Sequence, residues 1–219
     1  VAEPVELEFR GQRRQLVETL QDKGIRDLSV LRAFDQVPRH VFVPPSVRIR
    51  AYQDSALPIG NGQTISQPYV HARSLELMAL TGRERVLEIG TGSAYQTALL
   101  AQLASQVFSV ERMPMLLDRA RQLLAQLRIS NVSVLLGDGT LGWRDYAPYD
   151  AIVVGAGAPR VPTALEEQLA EGGRLLLPIG DREEQMLAVF TKRGGQLERR
   201  DIEPVRFVPL IGAGGWPAT

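Results

Sequence analysis

Residues 85–103 read RVLEIGTGSAYQTALLAQL: an apolar run of Val86, Leu87 and Ile89 that includes Glu88, then the glycine turn Gly90-Thr91-Gly92, then the helical spacing of Ala98, Leu99 and Leu103. A strand that passes through a glycine turn into a helix is expected to leave backbone N–H groups and the positive helix end facing one spot. Such a spot suits a nucleotide-like ligand, although an ordinary tight turn would read the same way. Two acids fall where a nucleoside would need them. Glu111 stands twenty-one residues after Gly90, at the end of an apolar run, and a carboxylate there can accept both hydroxyls of a ribose. Asp138, within Gly137-Asp138-Gly139, follows the next apolar run and can take the amino group of an adenine.

The glycine spacing narrows the choice of ligand. A dinucleotide-binding turn wants G-x-G-x-x-G, whose third glycine lets helix pack closely on strand. Here Tyr95 stands in that place, which argues against a nicotinamide-dependent oxidoreductase. The run fits acidic-x-G-x-G instead, with Glu88, Gly90 and Gly92 in those positions. In this it resembles the first motif of Rossmann-like methyltransferases that use S-adenosylmethionine, a cofactor with a free ribose hydroxyl pair. The usual pattern carries a further glycine where this chain has Ala94.

Composition excludes several other chemistries. The 219 residues include no cysteine, which removes disulfides, thiolate metal sites and cysteine nucleophiles. The two histidines, His40 and His71, have no metal-ligand spacing, so no metal is expected. Twenty-five basic side chains balance twenty-five acidic ones, whereas a protein that grips phosphates usually shows a basic excess. Nucleic acid is therefore not an expected partner. No apolar run approaches the roughly 20 residues of a membrane helix, and no secretory signal is visible. The expectation is a cytoplasmic protein with no membrane partner and a single main domain.

The elements that must position these residues follow in chain order. Residues 1–8 read as a tether. From residue 12 the spacing of Leu16, Val17 and Leu20 predicts an amphipathic helix that stops near Gly24. Asp27 is placed to cap a second helix carrying Val30, Leu31 and Phe34, which must end before Pro38. In the proline-containing segment 39–46, Phe42 is expected to anchor the helices on the core. Residues 56–69, with two glycines and two prolines, predict a structured loop rather than a helix or ordinary strand. Pro68 then opens a helix through Leu75 and Met78 to Gly82.

Beyond Gly92, strands are expected at 106–110, 132–136, 150–154 and 174–178, with helices at 114–127 and 162–169 between them. Such alternation predicts an α/β fold with a mainly parallel sheet covered by helices on both faces. Residues 185–191 and 197–208 predict a C-terminal antiparallel hairpin turning at Gly194-Gly195. Trp143 and Tyr146 are expected as core or loop anchors. The mixed charges of Glu198, Arg199, Arg200 and Asp201 are expected on a solvated strand face.

The segments GNGQTISQPYVHA, VLEIGTGSAYQTALLA, VFSVER, GDG followed by GW, YDAIVV and RFVPL together resemble the protein-L-isoaspartate (D-aspartate) O-methyltransferase family, over nearly the whole chain. The diagnostic piece is Gly62-Gln63-Thr64-Ile65-Ser66-Gln67-Pro68. The resemblance implies a Rossmann-like, S-adenosylmethionine-dependent methyltransferase domain over 56–219, with its substrate loop at 56–69 and a helical extension over 1–55. It implies repair chemistry on proteins and peptides: methylation of the free α-carboxylate of an L-isoaspartyl residue, followed by closure to a succinimide that opens partly to aspartate. Ser66 takes the place of the family's active-site serine. Cofactor contacts are implied at Glu88, Gly90, Thr91, Gly92, Ser93, Glu111, Arg112, Asp138 and Gly139. Peptide contacts are implied at Thr64, Ile65, Gln67, His71, Val208 and Leu210. Departures lie at Ala94, at Thr140 and at Gly155-Ala156-Gly157. A monomer is the favoured state, and the C-terminal residues 212–219 either close over the cleft or fray.

The residues are consistent with that chemistry in their own right. A carboxylate with a reference pKa of about 4 is already ionised at neutral pH, so methyl transfer to it needs no general base and scarce histidine is no obstacle. No His-Asp pair stands at a spacing that would make Ser66 a nucleophile; its hydroxyl can instead orient a carboxylate, or cap the helix opening at Pro68. His71 can equally be a packed helix residue. An RNA or small-molecule methyltransferase would predict a basic rim or an N-P-P-Y-like motif, and neither is found. A binding protein that had lost catalysis would predict damage at Ser66 or Glu111, and both are intact.

Overall fold

The computed structural model describes residues 4–217, with side chains described from Phe9 onward. Residues 1–3 of the expected tether, and Ala218 and Thr219 of the tail, lie outside the described residues. The rest of the tether is helical. Helix α1 spans Pro4–Asp22, eight residues earlier than the apolar spacing indicated. Pro4 suits a first helical position because its φ is already fixed. Phe9 then anchors the early turns: it is buried and stacks on the His40 ring with centroids 4.2 Å apart.

The chain leaves α1 through Gly24, whose φ is +99° and whose N–H donates to the Gln21 carbonyl at 3.0 Å. Asp27 caps α2 (Leu28–Gln36), its Oδ1 accepting from the Ser29 and Val30 amides at 2.8 and 3.3 Å. Val30, Leu31 and Phe34 are buried, as is Phe42 beyond the helix. The carboxylate of Glu76 in α3 (Pro68–Met78) accepts from the Arg26 and Asp27 amides, which joins the two N-terminal helices to the next element.

Residues 56–69, expected as a structured loop without ordinary strands, do form strands. They hold a hairpin in which β1 (Leu57–Gly60) pairs antiparallel with β2 (Gln63–Ile65). Gly60, Asn61 and Gly62 turn it with φ of +96°, +52° and +69°. Leu57, Ile59 and Ile65 are buried, a period-two pattern too short to stand out among prolines and glycines.

The main sheet has seven strands: β3 (Arg85–Ile89), β4 (Gln106–Glu111), β5 (Val132–Leu136), β6 (Tyr149–Val154), β7 (Leu169–Gly180), β8 (Gln185–Arg193) and β9 (Gln196–Val205). Their order is β5-β4-β3-β6-β7-β8-β9. The pairs from β5 to β7 are parallel and the last two are antiparallel. This is the mainly parallel α/β sheet with a C-terminal hairpin that the alternation predicts. β7 is longer than expected at both ends, and β9 ends before Val208. The acidic and basic residues Glu198–Asp201 are exposed on β9.

Helices α4 (Tyr95–Leu103), α5 (Pro114–Gln126) and α6 (Thr163–Gln168) connect the parallel strands. Alternate strand residues feed two cores. Val86 and Val107 pack into one cluster with α1 to α5; Leu87, Ile89, Phe108 and Val110 pack into the other with Leu165 of α6. Strands buried on both faces need apolar runs, which explains why these segments read as continuous rather than alternating. From β3 the chain steps outward to β4 and β5, then returns to β6 on the other side. Ligands of open α/β sheets bind at such a reversal, beyond the strand carboxyl ends.

No atom crowds the place where a Cβ would sit on Gly60, so its constraint is purely conformational. Gly60→Ala is expected to cost about 1–3 kcal/mol within the hairpin. Amide hydrogen exchange should then quicken across Leu57, Ile59 and Ile65 while β3 and β4 keep their protection; unchanged exchange in the hairpin would contradict this.

Candidate active site

At the β3 carboxyl end the turn does something the sequence reading did not anticipate. Two of its N–H groups are already engaged within the fold. The Gly90 amide donates to the Val110 carbonyl at 2.8 Å, and the Gly92 amide donates to Glu111 Oε2 at 2.8 Å. The other oxygen of Glu111 accepts from the Met113 amide at 2.9 Å. Glu111 is only 4 % exposed and lines the cleft. Each of its carboxylate oxygens therefore has one fixed amide donor and keeps acceptor capacity for one further hydroxyl. Two neighbouring ribose hydroxyls match that capacity.

Glu88 is placed differently from a ligand contact. It is fully buried beneath the turn and does not line the cleft. Its carboxylate accepts from Ser109 Oγ at 2.6 Å, Thr97 Oγ1 at 2.5 Å and Gln96 Nε2 at 3.3 Å. Ser109 Oγ in turn meets Thr91 Oγ1 at 2.6 Å, so the acid supports the turn through two hydroxyls. Burial pushes its pKa up to about 7 against those three hydrogen bonds, and the charge of Glu111 adds to the rise.

Asp138 also sits behind the wall rather than on it. Its Oδ1 caps the 3-10 turn Gly139–Leu141 by accepting from the Thr140 amide and hydroxyl, and its Oδ2 accepts from the Ala213 amide at 2.8 Å. Burial alone would raise its pKa, but the bonds from Thr140 and Ala213 outweigh it and hold the carboxyl below its ordinary value. Gly139 does line the cleft. A Cβ there would come within 2.3 Å of Ile89 Cγ2, so only glycine fits.

The cleft encloses about 220 Å³, and besides Glu111 and Gly139 it is lined by Gly90, Thr91, Gly92, Ser93 and Arg112. Its far end is formed by Thr64, Ile65 and Ser66 of the hairpin, by His71 of α3, and by Val208 and Leu210. Gln67 is not among the lining residues: its amide donates to Asp54 Oδ2 at 2.9 Å, while Asp54 Oδ1 accepts from the Tyr69 amide. Ala94 adopts φ +67°, the left-handed conformation that explains why related turns favour glycine at this position.

Buried polar side chains that the sequence reading passed over position this end. Arg39 is fully buried; its Nε donates to the Ala51 carbonyl at 2.6 Å, Nη1 to Ser66 at 3.1 Å and Nη2 to Ser55 at 3.2 Å. Desolvation brings its pKa down to about 10. An arginine that stands, with His40, among Val37, Pro38, Val41, Phe42 and Val43 was the available signal. Gln185 spans Asp181 and Phe207 through its side-chain amide. The Gly157 amide donates to the Val208 carbonyl and the Leu210 amide to the Gly157 carbonyl, both at 2.8 Å. His71 is 7 % exposed, with Nδ1 unpartnered. Burial, and then the charge of Arg39, bring its pKa down to about 3, so it is neutral at physiological pH.

A glycine turn after the first parallel strand, an acid fixed at the end of the second and a cleft at the strand reversal define a Rossmann-like, S-adenosylmethionine-dependent methyltransferase. The paired acceptor sites of Glu111 fit the ribose of that cofactor. The family model for protein-L-isoaspartate(D-aspartate) O-methyltransferase (PCMT) matches residues 11–214, and the chain belongs to this family. It is 50 % identical over 209 residues to the protein-L-isoaspartate O-methyltransferase of Dictyoglomus thermophilum, covering 95 % of each chain. It is 49 % identical over 212 residues to that of Geobacter metallireducens, covering 96 % of this chain and 98 % of the other. A solved protein-L-isoaspartate O-methyltransferase superposes with a TM-score of 0.84 at 32 % identity, over 93 % of this chain and 67 % of that one. A PCMT structure from Plasmodium falciparum, in complex with S-adenosyl-L-homocysteine, gives 0.80 at 28 % identity, over 91 % and 98 %.

The raised pKa of Glu88 makes stability depend on pH. The fold favours its protonated form, a contribution fully present below the ordinary value of 4.5 and lost as pH rises through about 7. Relative to Glu88→Gln, the wild-type chain is expected to lose on the order of 3 kcal/mol between pH 4.5 and 8. Urea unfolding of both proteins at both pH values checks this; a constant difference between them would contradict it. Gly139→Ala is expected to destabilise by about 1–3 kcal/mol through overpacking against Ile89, read by the same unfolding measurement.

Proposed function

We propose that this chain methylates the free α-carboxylate of L-isoaspartyl residues in peptides and proteins, the step that opens their repair. The observation that carries the reading is a single cleft with a doubly anchored acid, Glu111, at one end and Ser66 with a neutral His71 at the other. Family membership supports the same activity.

Bound S-adenosylmethionine supplies an electrophilic sulfonium methyl. Glu111 holds the ribose hydroxyls, and Gly90, Thr91, Gly92, Ser93, Arg112 and Gly139 form the surrounding wall. Asp138 and Glu88 contribute indirectly, Asp138 by fixing the turn that carries Gly139 and Glu88 by supporting Thr91 through Ser109. At the other end the acceptor carboxylate arrives ionised, so no residue removes a proton. Ser66 donates a hydrogen bond that orients it. Neutral His71 can line the site without forming an ion pair that would quench the carboxylate. Thr64, Ile65, Val208 and Leu210 bound the peptide and exclude water, while Gln67 acts from behind by tying the loop to Asp54. Alignment and dehydration are the protein's contributions to rate. Methanol leaves the resulting ester far more readily than hydroxide would leave the carboxylate, so the neighbouring backbone nitrogen attacks the ester carbonyl, displaces methanol and gives the succinimide, which water then opens.

Residues 1–55 serve in this reading as a helical extension of the catalytic domain over 56–219, with the substrate loop at 56–69. The working form is a cytoplasmic monomer acting on damaged proteins, without nucleic acid or membrane partners. Equal numbers of acidic and basic side chains support the absence of a nucleic-acid partner; no described helix is long and apolar enough to cross a membrane.

Labelled S-adenosylmethionine should transfer methyl to a peptide with one isoaspartyl linkage and not to its normal aspartyl twin, giving a base-labile ester. Ser66→Ala is expected to lower kcat by about 10- to 100-fold, the loss of one hydrogen bond to a charged group, with cofactor affinity unchanged. Cofactor binding without methylation of either peptide would overturn the substrate assignment.

A further inference from the structure

Arg39 is an unusual group to find behind this site. It is the largest side chain in the core, fully buried, and its three hydrogen bonds all go to neutral carbonyls. Among the described residues no carboxylate forms an ion pair with it. Asp54 acts on it at longer range and is itself engaged by Lys23, Gln67 and the Tyr69 amide. The guanidinium also lies over the Tyr95 ring, 5.3 Å from its centroid. A buried cation without a counter-ion is costly, and an apolar side chain could fill the space, so packing alone does not account for it.

Two of its properties bear on the cleft. Its planar fork spans Ala51, Ser55 and Ser66, which a lysine ammonium cannot do from one point. The Ser66 carbonyl faces this cation, so the Gln67 N–H of the same trans peptide points away from Arg39. Its charge reaches the site as well, for His71 on the cleft wall is among the groups it acts upon.

We propose that Arg39 is a positioning residue for methyl transfer: its fork sets the Ser66 backbone, and its charge, which no carboxylate contacts directly, biases the cleft toward an anionic acceptor. This rests on the isoaspartyl carboxylate being that acceptor. The fork acts on kcat through the placement of Ser66. The charge acts on the preference for a carboxylate over a neutral group of the same shape. Arg39 itself touches neither cofactor nor acceptor.

The test compares wild type, Arg39→Lys and Arg39→Met by kinetics with an isoaspartyl peptide, by competitive inhibition with the same peptide carrying an α-carboxamide, and by calorimetric binding of S-adenosyl-L-homocysteine. Homocysteine-nucleoside binding should be the same in all three. Arg39→Met should lower kcat and also shrink the ratio of carboxamide Ki to carboxylate KM by about 10-fold or more, as expected of a charge removed from a partly desolvated site. Arg39→Lys should restore the ratio but not kcat. A merely structural role would change kcat in both variants and leave the ratio alone, which overturns the proposal, as does wild-type kcat in Arg39→Lys. If Arg39→Met does not fold, Arg39→Gln takes its place, a charge-free side chain that keeps a hydrogen-bond donor: a ratio that shrinks as expected for Arg39→Met supports the proposal, and an unchanged ratio overturns it. Failure of the functional reading shows separately, in wild type that binds the nucleoside yet does not methylate the isoaspartyl peptide, and it takes this proposal with it.

Discussion

The rest of the site depends on how Glu111 is held. One carboxylate oxygen takes an amide from the turn after β3, the other an amide from the start of α5. These two bonds tie the carboxyl ends of neighbouring parallel strands to one charged group. They require the β3–β4 register that sets Ile89 opposite Val110, and a backbone at Gly92 with φ of +54°. A charge-assisted hydrogen bond is roughly twice as strong as a neutral one, so the arrangement is rigid before any ligand arrives. That rigidity is what a binding site for a ribose needs, because little remains to be ordered on binding.

Directly below, Glu88, Ser109 and Thr91 form a second connection between the same two strands. Burial pushes the Glu88 carboxyl toward its protonated form, and the nearby charge of Glu111 adds to this. The hydrogen bonds from Ser109, Thr97 and Gln96 favour the ionised form of Glu88, and burial outweighs them. The far end of the cleft is built from elements distant in sequence, each pinned by one buried polar side chain: Arg39 for the Ser66 turn, Asp54 for the start of α3, and Gln185 for the strand end leading to Val208. Backbone that would otherwise be a mobile loop is thereby held to the sheet.

Much of this was legible in the sequence where the signal is local. Gly24 and Asp27 mark helix ends through their own backbone and side-chain chemistry, and apolar runs of strand length alternate with helical spacing all along the sheet. Glu111 and Ser66 were recognisable because spacing and motif locate them, and both line the cleft. What escaped depends on tertiary contacts. Glu88, Asp138 and Gln67 sit at motif positions yet turn inward, since their partners, Ser109, Ala213 and Asp54, are brought to them only by the fold. The hairpin at β1 and β2 rests on three successive left-handed residues, one of them asparagine, and on a burial pattern too short to count. Arg39 gave no sign beyond its apolar neighbours, because its role is defined by three carbonyls from separate turns.

A structure of the chain bound to S-adenosyl-L-homocysteine and an isoaspartyl peptide tests the central claim most directly. The account requires both ribose hydroxyls on the Glu111 carboxylate, with its bonds to the Gly92 and Met113 amides intact, and the peptide's free α-carboxylate at Ser66 facing the sulfur. A ribose held elsewhere, or a peptide whose α-carboxylate lies outside the cleft between Ser66 and His71, would contradict it.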